Sequence, residues 1–255
     1  MNDETPSILL VDDDVDICAS MADIFADVGY SVDFAHEGAR ALELVRRRPY
    51  DVALLDLKMP GMDGVTLCRE IRRVRSGTVS LLVTAYAGGD TVQEARDAGA
   101  WRILAKPVDF PSLMGLIDDV LKQPLVLVVD DDPDMCASLR DLMRELGYRV
   151  CIAHDLREAI ERLQETTRVV LLDLRLPGED GGVVFQRLRE MNAAVPVVLI
   201  TGYPAEMGPL VDRLGTEGFD AVHYKPLDIP RLLADLARLA GPATARGRVD
   251  RTTEI

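Results

Sequence analysis

The chain repeats itself once, and this internal repeat limits its architecture more than any other feature of the sequence. The segment ILLVDDDVDICASMADIFADVGYSVDFAH, which begins at Ile8, matches VLVVDDDPDMCASLRDLMRELGYRVCIAH, which begins at Val126. Further along, DVALLDLKMPGMDG matches RVVLLDLRLPGEDG, SLLVTAY matches VVLITGY, and LAKP matches HYKP. The distance along the chain between matched segments changes by only one or two residues from one match to the next, as small changes of loop length in two copies of one domain would produce. The length of 255 residues therefore predicts two similar domains rather than a single large one.

The repeat also predicts where the domains begin and end. We place the first domain at residues 1–123 and the second at residues 124–240. The join has almost no linker, because a helical pattern ends near Lys122, Pro124 stops it, and an apolar strand pattern begins at once. We therefore expect restricted motion between the domains. Residues 241–255 lack apolar periodicity and are expected to form a disordered tail.

Short apolar runs alternate with helical patterns in each copy, and this alternation indicates the fold. The runs of the first copy are ILLV, SVDFA, VALLDL, SLLVTA and WRILA. Continuous apolar runs are typical of parallel strands that are buried on both faces. Each copy is therefore predicted to be a doubly wound five-stranded parallel sheet with helices on both faces. In the first helix the predicted apolar face consists of Ile17, Met21, Ile24, Phe25 and Val28.

Charge narrows the classes of function. The chain has 29 Lys and Arg against 43 Asp and Glu, a formal net charge of -14. Sequence-independent binding to nucleic acid and to anionic membrane surfaces both need clustered basic residues, so neither is expected. No apolar run approaches the roughly 18 residues of a transmembrane helix, and the start MNDETPS has no signal-peptide pattern. We expect a cytoplasmic protein.

Acidic residues collect where the predicted strands end. Parallel strands present their carboxyl ends at one edge of the sheet, where ligands of such folds bind. Carboxylates about 5 Å apart repel each other by roughly 3 kcal/mol per pair at an effective dielectric constant of 20, so the site must take up a proton or a cation. The acidic residues at this edge are Asp12, Asp13 and Asp56 in the first copy and Asp130, Asp131 and Asp173 in the second.

The same edge offers groups that suit phosphoryl chemistry. Carboxylate oxygens are hard ligands for Mg²⁺, which also accepts phosphate oxygens. Lys and Thr side chains, here Lys106 with Thr84 and Lys225 with Thr201, can pair with and hydrogen-bond an incoming phosphoryl group. A carboxylate facing that group can attack it as a nucleophile. Each copy is therefore predicted to hold a Mg²⁺-dependent phosphoryl-accepting site.

In this order and spacing, VDDD, LLDLKMPGMDG, LLVTAY and LAKP resemble the receiver domain of two-component response regulators. The resemblance covers nearly the whole chain in two copies and implies a flavodoxin-like fold for each. It makes Asp56 and Asp173 the phosphoacceptors. It also implies one Mg²⁺ per domain. The ligands would be Asp12, Asp13 and Asp56 in the first domain and Asp130, Asp131 and Asp173 in the second. The residues that bind the phosphoryl group and act as the switch would be Thr84 and Lys106 in the first domain and Thr201 and Lys225 in the second.

Two further features follow from the resemblance. The backbone carbonyls of Lys58 and Arg175 are expected to complete the metal shells, and the peptide bonds before Pro107 and Pro226 are expected to be cis. The side chains of Lys58 and Arg175, with those of Tyr86 and Tyr203, lie where members of the family tune loss of the phosphoryl group.

The chain also departs from the family pattern. Many receivers have Tyr or Phe three residues before the conserved Lys, but here these positions are Ile103 and Val222. The usual aromatic half of the switch is therefore not expected in either copy. The segment between Thr201 and Lys225 is two residues longer than its counterpart and contains Pro204 and Pro209, which predicts an altered output surface.

Several polar residues fit ordinary structural roles. Acidic residues after strands often cap the next helix, which suits Asp14, Asp16, Asp132 and Asp134. Buried thiols are expected at the equivalent positions Cys18 and Cys136. The equivalent loop residues His36 and His154 match no catalytic or metal-binding pattern and are expected to be structural or incidental.

The leading functional prediction is a response regulator with tandem receivers, no output domain and no conventional enzyme activity. It would accept phosphoryl groups from a histidine kinase or a histidine phosphotransfer protein and act by protein contacts. One alternative is an interaction scaffold in which the second domain is not phosphorylated. A phosphatase with an aspartate nucleophile is disfavoured, because it would want Asp-x-Asp where this chain has Asp56-x-Lys58 and Asp173-x-Arg175. The pathway, the target and homodimerisation stay open.

Overall fold

A computed structural model describes residues 5–85, 89–164, 166–176, 178–202, 208, 211, 213, 215 and 218–241. The chain divides into two compact units, one ending at Lys122 and the other beginning at Gln123. All but the first residue of the predicted disordered tail lies outside the described residues, as do Tyr86, Tyr203, Pro204 and Pro209. Among the described helices, none is both long and apolar enough to cross a membrane.

The first unit is a five-stranded parallel sheet with strand order β2-β1-β3-β4-β5. This order is that of a doubly wound fold, in which the chain reverses its direction of winding between β1 and β3. Strands and helices alternate along the chain as follows: β1 Ser7–Val11, α1 Val15–Asp27, β2 Ser31–Ala35, α2 Gly38–Arg47, β3 Val52–Asp56, α3 Gly64–Val74, β4 Val79–Thr84, α4 Gly89–Ala98, β5 Arg102–Ala105 and α5 Phe110–Leu121.

The second unit repeats this topology, with strand order β7-β6-β8-β11-β12 and all five strands parallel. It adds a short antiparallel hairpin between β8 and the next helix. Its described elements are β6 Leu125–Val129, α6 Pro133–Glu145, β7 Arg149–Ala153, α7 Leu156–Arg162, β8 Thr167–Asp173, β9 Arg175–Leu176, β10 Glu179–Asp180, α8 Gly181–Met191, β11 Val197–Thr201, β12 Ala221–Tyr224 and α9 Ile229–Ala240. The predicted fold class is confirmed in both halves.

Each sheet has an apolar core on both faces, which explains the continuous apolar runs. Alternate residues of one strand enter different cores: Leu9 and Val11 pack with α2 and α3, whereas Ile8 and Leu10 pack with α1 and α5. Strand β3 is buried along its whole length. A strand covered on both sides has no solvent face to carry polar residues, so its sequence does not alternate.

The prediction for the apolar face of α1 is wrong in part. The helix buries Cys18 and Phe25, whereas Ile17, Ile24 and Val28 lie on the exposed side. The exposed residues are rotated roughly 100° around the helix axis from the buried ones, at about 100° per residue. The apolar sector of this helix is therefore wider than the surface that the sheet and its neighbours cover.

Local capping follows the sequence. Asp14 is the N-cap of α1, and its carboxylate accepts hydrogen bonds from the backbone N–H groups of Asp16 and Ile17. Asp132 caps α6 in the same way through its own Oδ1 atom. Such caps satisfy donors that the first turn of a helix leaves unpaired. The predicted capping role of both residues is confirmed.

Candidate functional site

Three carboxylates meet at the carboxyl edge of the sheet in each unit. One oxygen each from Asp12, Asp13 and Asp56 lies within 4.8 Å of the other two. The second unit brings together Asp130, Asp131 and Asp173 within the same limit. In both units the first two residues of the triad directly follow the first strand, and the third ends the strand beside it. The topology therefore places side by side acidic residues that are far apart in sequence.

A lysine from the last strand lies against each acidic cluster. Lys106 Nζ is 2.8 Å from Asp12 Oδ2 and 3.3 Å from Asp56 Oδ1. The lysine directly follows β5, and the peptide bond that joins it to Pro107 is cis. One ammonium thus faces two carboxylates, and with Asp13 counted the first site holds three carboxylates against one positive charge.

The corresponding lysine of the second unit is held more tightly. Lys225 Nζ is 2.8 Å from Asp130 Oδ2 and 2.5 Å from Asp173 Oδ2. The Lys225-Pro226 peptide bond is also cis. The backbone N–H of Arg175 donates to the other oxygen of Asp173 at 2.8 Å. Both oxygens of Asp173 therefore accept a hydrogen bond from within the unit.

Burial makes the central carboxylates harder to ionise. Desolvation raises the pKa of Asp56 above its usual value, because the attraction of Lys106 does not fully offset it. The same cause raises the pKa of Asp173, against the hydrogen bond from Lys225. Burial acts to lower the pKa of Lys106, but its hydrogen bond to Asp12 and the charges of both carboxylates outweigh burial and raise the pKa. The positive charge of the lysine therefore offsets the cost of burying the central carboxylate only in part.

The two sites differ in how open they are. The side chain of Asp12 is 13% exposed and that of its repeat counterpart Asp130 only 2%. Asp56 and Asp173 are both buried, Asp173 more deeply. The β9–β10 hairpin follows Asp173 at once, and its Leu176 is buried in the core of the second unit. The carboxylates and the lysine of the second site are therefore less exposed than those of the first.

The predicted switch threonines end the strand next to the phosphoacceptor candidate in each sheet. Thr84 ends β4, Thr201 ends β11, and both are almost fully buried. Strand β4 pairs with β3 so that Asp56 lies opposite Val83, one residue before Thr84. The threonines therefore lie at the same sheet edge as the carboxylates and the lysines.

A glycine in each unit lets a helix approach the backbone at Asp56 or just after Asp173 closely. A Cβ atom on Gly64, the first residue of α3, would lie 2.2 Å from the carbonyl oxygen of Asp56. A Cβ atom on Gly181 would lie 2.4 Å from the carbonyl oxygen of Leu174. Real atoms do not approach so closely, so any side chain at these positions would displace the loop. This contact explains the final glycine of the PGMDG and PGEDG motifs.

The positions of the missing aromatic switch are filled by aliphatic side chains. Ile103 and Val222 are partly buried and pack against the apolar cores of their own units. Tyr224, two residues further along, is 42% exposed. The metal-binding role predicted for the carbonyls of Lys58 and Arg175 stays a prediction.

Sequence reasoning missed the surroundings of the acidic pair. His36 and Cys18 both contact the backbone carbonyl of Asp12, and His154 and Cys136 contact that of Asp130. We expected these histidines to be structural or incidental. Their identity at equivalent positions of the two copies was the available signal. The expectation that both cysteines are buried is confirmed.

The donor set of each site fits a Mg²⁺ ion. Each cluster offers three carboxylate oxygens, the hard ligands that this ion prefers. Desolvation raises the pKa of the central carboxyl in both units, because the neighbouring lysine offsets the cost of burying its charge only in part. The residues that would hold the ion are the three carboxylates of each unit.

Comparison with known proteins matches both units to one family. The profile of the response regulator receiver domain matches residues 8–118 and 126–237. A response regulator receiver protein of Anaeromyxobacter sp. (strain Fw109-5) is 34% identical over 232 residues, which is 91% of this chain and 94% of that protein. Transcriptional regulatory protein ZraR of Escherichia coli O157:H7 is 36% identical over 121 residues, which is 48% of this chain and 27% of that protein.

Among solved structures, a CheY-like response regulator receiver domain protein from Methanospirillum hungatei JF-1 is 29% identical, with a TM-score of 0.44. That match covers 47% of this chain and 98% of the other. Both segments matched by the family profile contain a complete acidic triad together with its threonine and lysine. The chain therefore belongs to the response regulator receiver domain family, with two copies of the domain in tandem.

Proposed function

We propose that both receiver domains accept a phosphoryl group, on Asp56 in the first and on Asp173 in the second. The donor is the phosphohistidine of a histidine kinase or of a histidine phosphotransfer protein, and Mg²⁺ is required. The protein then acts in the cytoplasm through contacts of the receivers with protein partners. The observation that carries the proposal is the convergence, twice in one chain, of three carboxylates and a lysine at one sheet edge.

The chemistry follows from these groups. A carboxylate oxygen of Asp56 attacks the phosphorus atom, a new O–P bond forms, and the N–P bond of the donor breaks. The electron pair of the broken bond stays on the imidazole nitrogen of the donor. The bound Mg²⁺ supplies positive charge for the phosphoryl oxygens. Lys106 leaves its ion pair with the carboxylate to pair with the phosphoryl group, and Thr84 donates a hydrogen bond to it.

The geometry favours faster phosphorylation of the first domain than of the second. Asp173 is more deeply buried than Asp56, and Lys225 lies closer to it than Lys106 does to Asp56. Phosphorylation of the second domain must break the shorter ion pair and reach the more deeply buried carboxylate. An interaction scaffold with an unphosphorylated second domain is the extreme form of this difference and stays the alternative.

Mass spectrometry of the intact protein tests the proposal. The protein is incubated with MgCl₂ and either a small phosphodonor or a phosphorylated histidine kinase, and the added phosphoryl groups are counted. Two groups are expected for the parent, one for Asp56→Asn or Asp173→Asn, and none for the double variant. Asp119→Asn changes an exposed carboxylate of the first unit and should behave like the parent.

Each outcome decides between the readings. No uptake by the parent from either donor would refute the phosphoacceptor function. A single group, lost in Asp56→Asn and kept in Asp173→Asn, would support the scaffold reading for the second domain. Uptake that survives in the double variant would place the acceptor elsewhere.

A further inference from the structure

A histidine and a cysteine hold the backbone carbonyl of Asp12 from two sides. His36 Nδ1 lies 3.3 Å from this oxygen, and Cys18 Sγ lies 3.4 Å from it. His36 follows β2 directly, whereas Cys18 lies in the first turn of α1. The carbonyl therefore joins the end of the first strand to two other elements of the unit.

The second unit has the same contacts at closer range. His154 Nδ1 is 3.0 Å from the carbonyl oxygen of Asp130, and Cys136 Sγ is 3.3 Å from it. The same contacts therefore occur at equivalent residues in both copies of the repeat.

The chemistry of the contact determines the state of the imidazole. A carbonyl oxygen only accepts hydrogen bonds, so Nδ1 of His36 must carry the proton. The backbone N–H of Asp12 donates to the carbonyl of Ala35 at 3.2 Å, which continues the pairing of β1 with β2. The strand β2 ends at Ala35, and the imidazole N–H of the next residue supplies the donor that a longer strand would have supplied.

These contacts hold Asp12 at every polar group. Its N–H and C=O are bonded as described, Oδ1 accepts from the backbone N–H of Asp14 at 3.0 Å, and Oδ2 faces Lys106. The carbonyl of Asp12 belongs to the peptide group that joins Asp12 to Asp13. Rotation of this peptide would move both carboxylates of the acidic pair relative to Asp56.

We propose that His36 with Cys18, and His154 with Cys136, are positioning residues that set the geometry of the acidic pair for Mg²⁺ binding. They act through the backbone carbonyls of Asp12 and Asp130 and do not touch the ion. The proposal rests on the proposed function, because it concerns the same Mg²⁺ site. Outer residues that orient metal ligands typically contribute about 10- to 100-fold to metal affinity.

The test compares a variant that loses the donor with one that keeps it. In the full chain, Asp131→Asn and Asp173→Asn remove the second metal site so that titration with MgCl₂ alone reports the first. In this background His36→Leu removes the donor, whereas the amide nitrogen of His36→Asn can donate from nearly the same place. Isothermal titration calorimetry should show about tenfold weaker binding for His36→Leu. His36→Asn should recover most of that loss.

Cys18 supplies a second pair of variants. Cys18→Ala should weaken Mg²⁺ binding by about threefold, which corresponds to roughly half the net free energy that a typical hydrogen bond contributes. Cys18→Ser keeps a donor and should bind more tightly than Cys18→Ala. Trp101 is the sole tryptophan and lies in the first unit, so its fluorescence checks that each variant is folded. If His36→Leu does not fold, the two Cys18 variants decide the question.

The possible results separate the inference from the function on which it rests. Equal Mg²⁺ affinity for the background protein and the folded donor-less variants would overturn the positioning role. Equal losses in His36→Leu and His36→Asn would also overturn it, because the effect would then come from packing of the ring. No Mg²⁺ binding by the parent chain would instead overturn the proposed function and, with it, this inference.

Discussion

Removal of Lys106 should destabilise the first unit strongly without Mg²⁺ and weakly with it. The ammonium lies 2.8 Å from one carboxylate and 3.3 Å from another. At an effective dielectric constant of 20 these distances correspond to attractions of about 6 and 5 kcal/mol, which desolvation of the three groups largely opposes. Loss of one partner of a buried ion pair costs about 3–5 kcal/mol. The side chain of Lys106 is 28% exposed, so we expect about 3 kcal/mol for Lys106→Met.

Urea unfolding followed by Trp101 fluorescence measures this loss in the first unit. The matched control is Lys122→Met, because Lys122 is 62% exposed and lies 4.0 Å from its acidic partner. The control should change the free energy of unfolding by less than about 0.5 kcal/mol. Mg²⁺ replaces the missing charge and should bind Lys106→Met more tightly than the parent, so a saturating concentration stabilises the variant more than it stabilises the parent. Most of the loss in Lys106→Met should therefore disappear.

The pH dependence has a definite sign. The pKa of Asp56 is already raised in the folded protein, so folding favours its protonated form, and stability falls as pH rises from the unfolded pKa through the folded one. Without Lys106 the pKa rises further, and the destabilisation grows with pH through this range. It should be largest at neutral pH and shrink in acid, where the carboxyls are neutral. A loss that is equal at both pH values, or equal with and without Mg²⁺, would refute the electrostatic reasoning.

Three further predictions concern packing inside each unit. Gly64→Ala should lower the stability of the first unit by about 2 kcal/mol, because its Cβ would overlap the backbone of Asp56. The matched change Gly115→Ala, in an open position of α5, should raise stability by about 0.5–1 kcal/mol in the same unfolding assay. Burial raises the pKa of the Cys18 thiol to about 11 and that of its repeat counterpart to about 12, so mass spectrometry should find neither alkylated by iodoacetamide at pH 8 unless the protein is unfolded. Burial raises the pKa of Tyr50 to about 12, so stability that depends on its neutral hydroxyl is lost as pH rises from 10 towards 12. Tyr50→Phe should therefore make the stability, measured by circular dichroism, depend less on pH in this range.

Local patterns in the sequence predicted the strands and their carboxyl ends correctly. The apolar runs are strands because their residues enter cores on both faces of a sheet. Asp12 and Asp56 were placed at one edge because parallel strands end together. Helix caps such as Asp14 were also predictable, since a cap needs only the few residues that follow it.

Features that depend on packing were not predictable in this way. The exposed face of α1, with Ile24 and Val28, reflects how much of the helix the sheet covers, and the sequence of the helix alone does not contain that information. The β9–β10 hairpin beside Asp173 arises in a segment whose counterpart in the first unit closely resembles it in sequence.

The sequence by itself determined the doubled architecture and the chemical groups that each site can offer, because repeats, apolar runs and strand-end residues are properties of short segments. Only the tertiary structure decided how those groups meet. The ion pair between Lys106 and Asp12 joins residues 94 positions apart, and its length depends on the packing of every element between them. The tighter lysine of the second unit and the imidazole that holds the carbonyl of Asp12 have the same origin. The net charge of a site can be counted from the sequence, whereas its burial, and hence the pKa of its carboxyls, follows from three-dimensional packing.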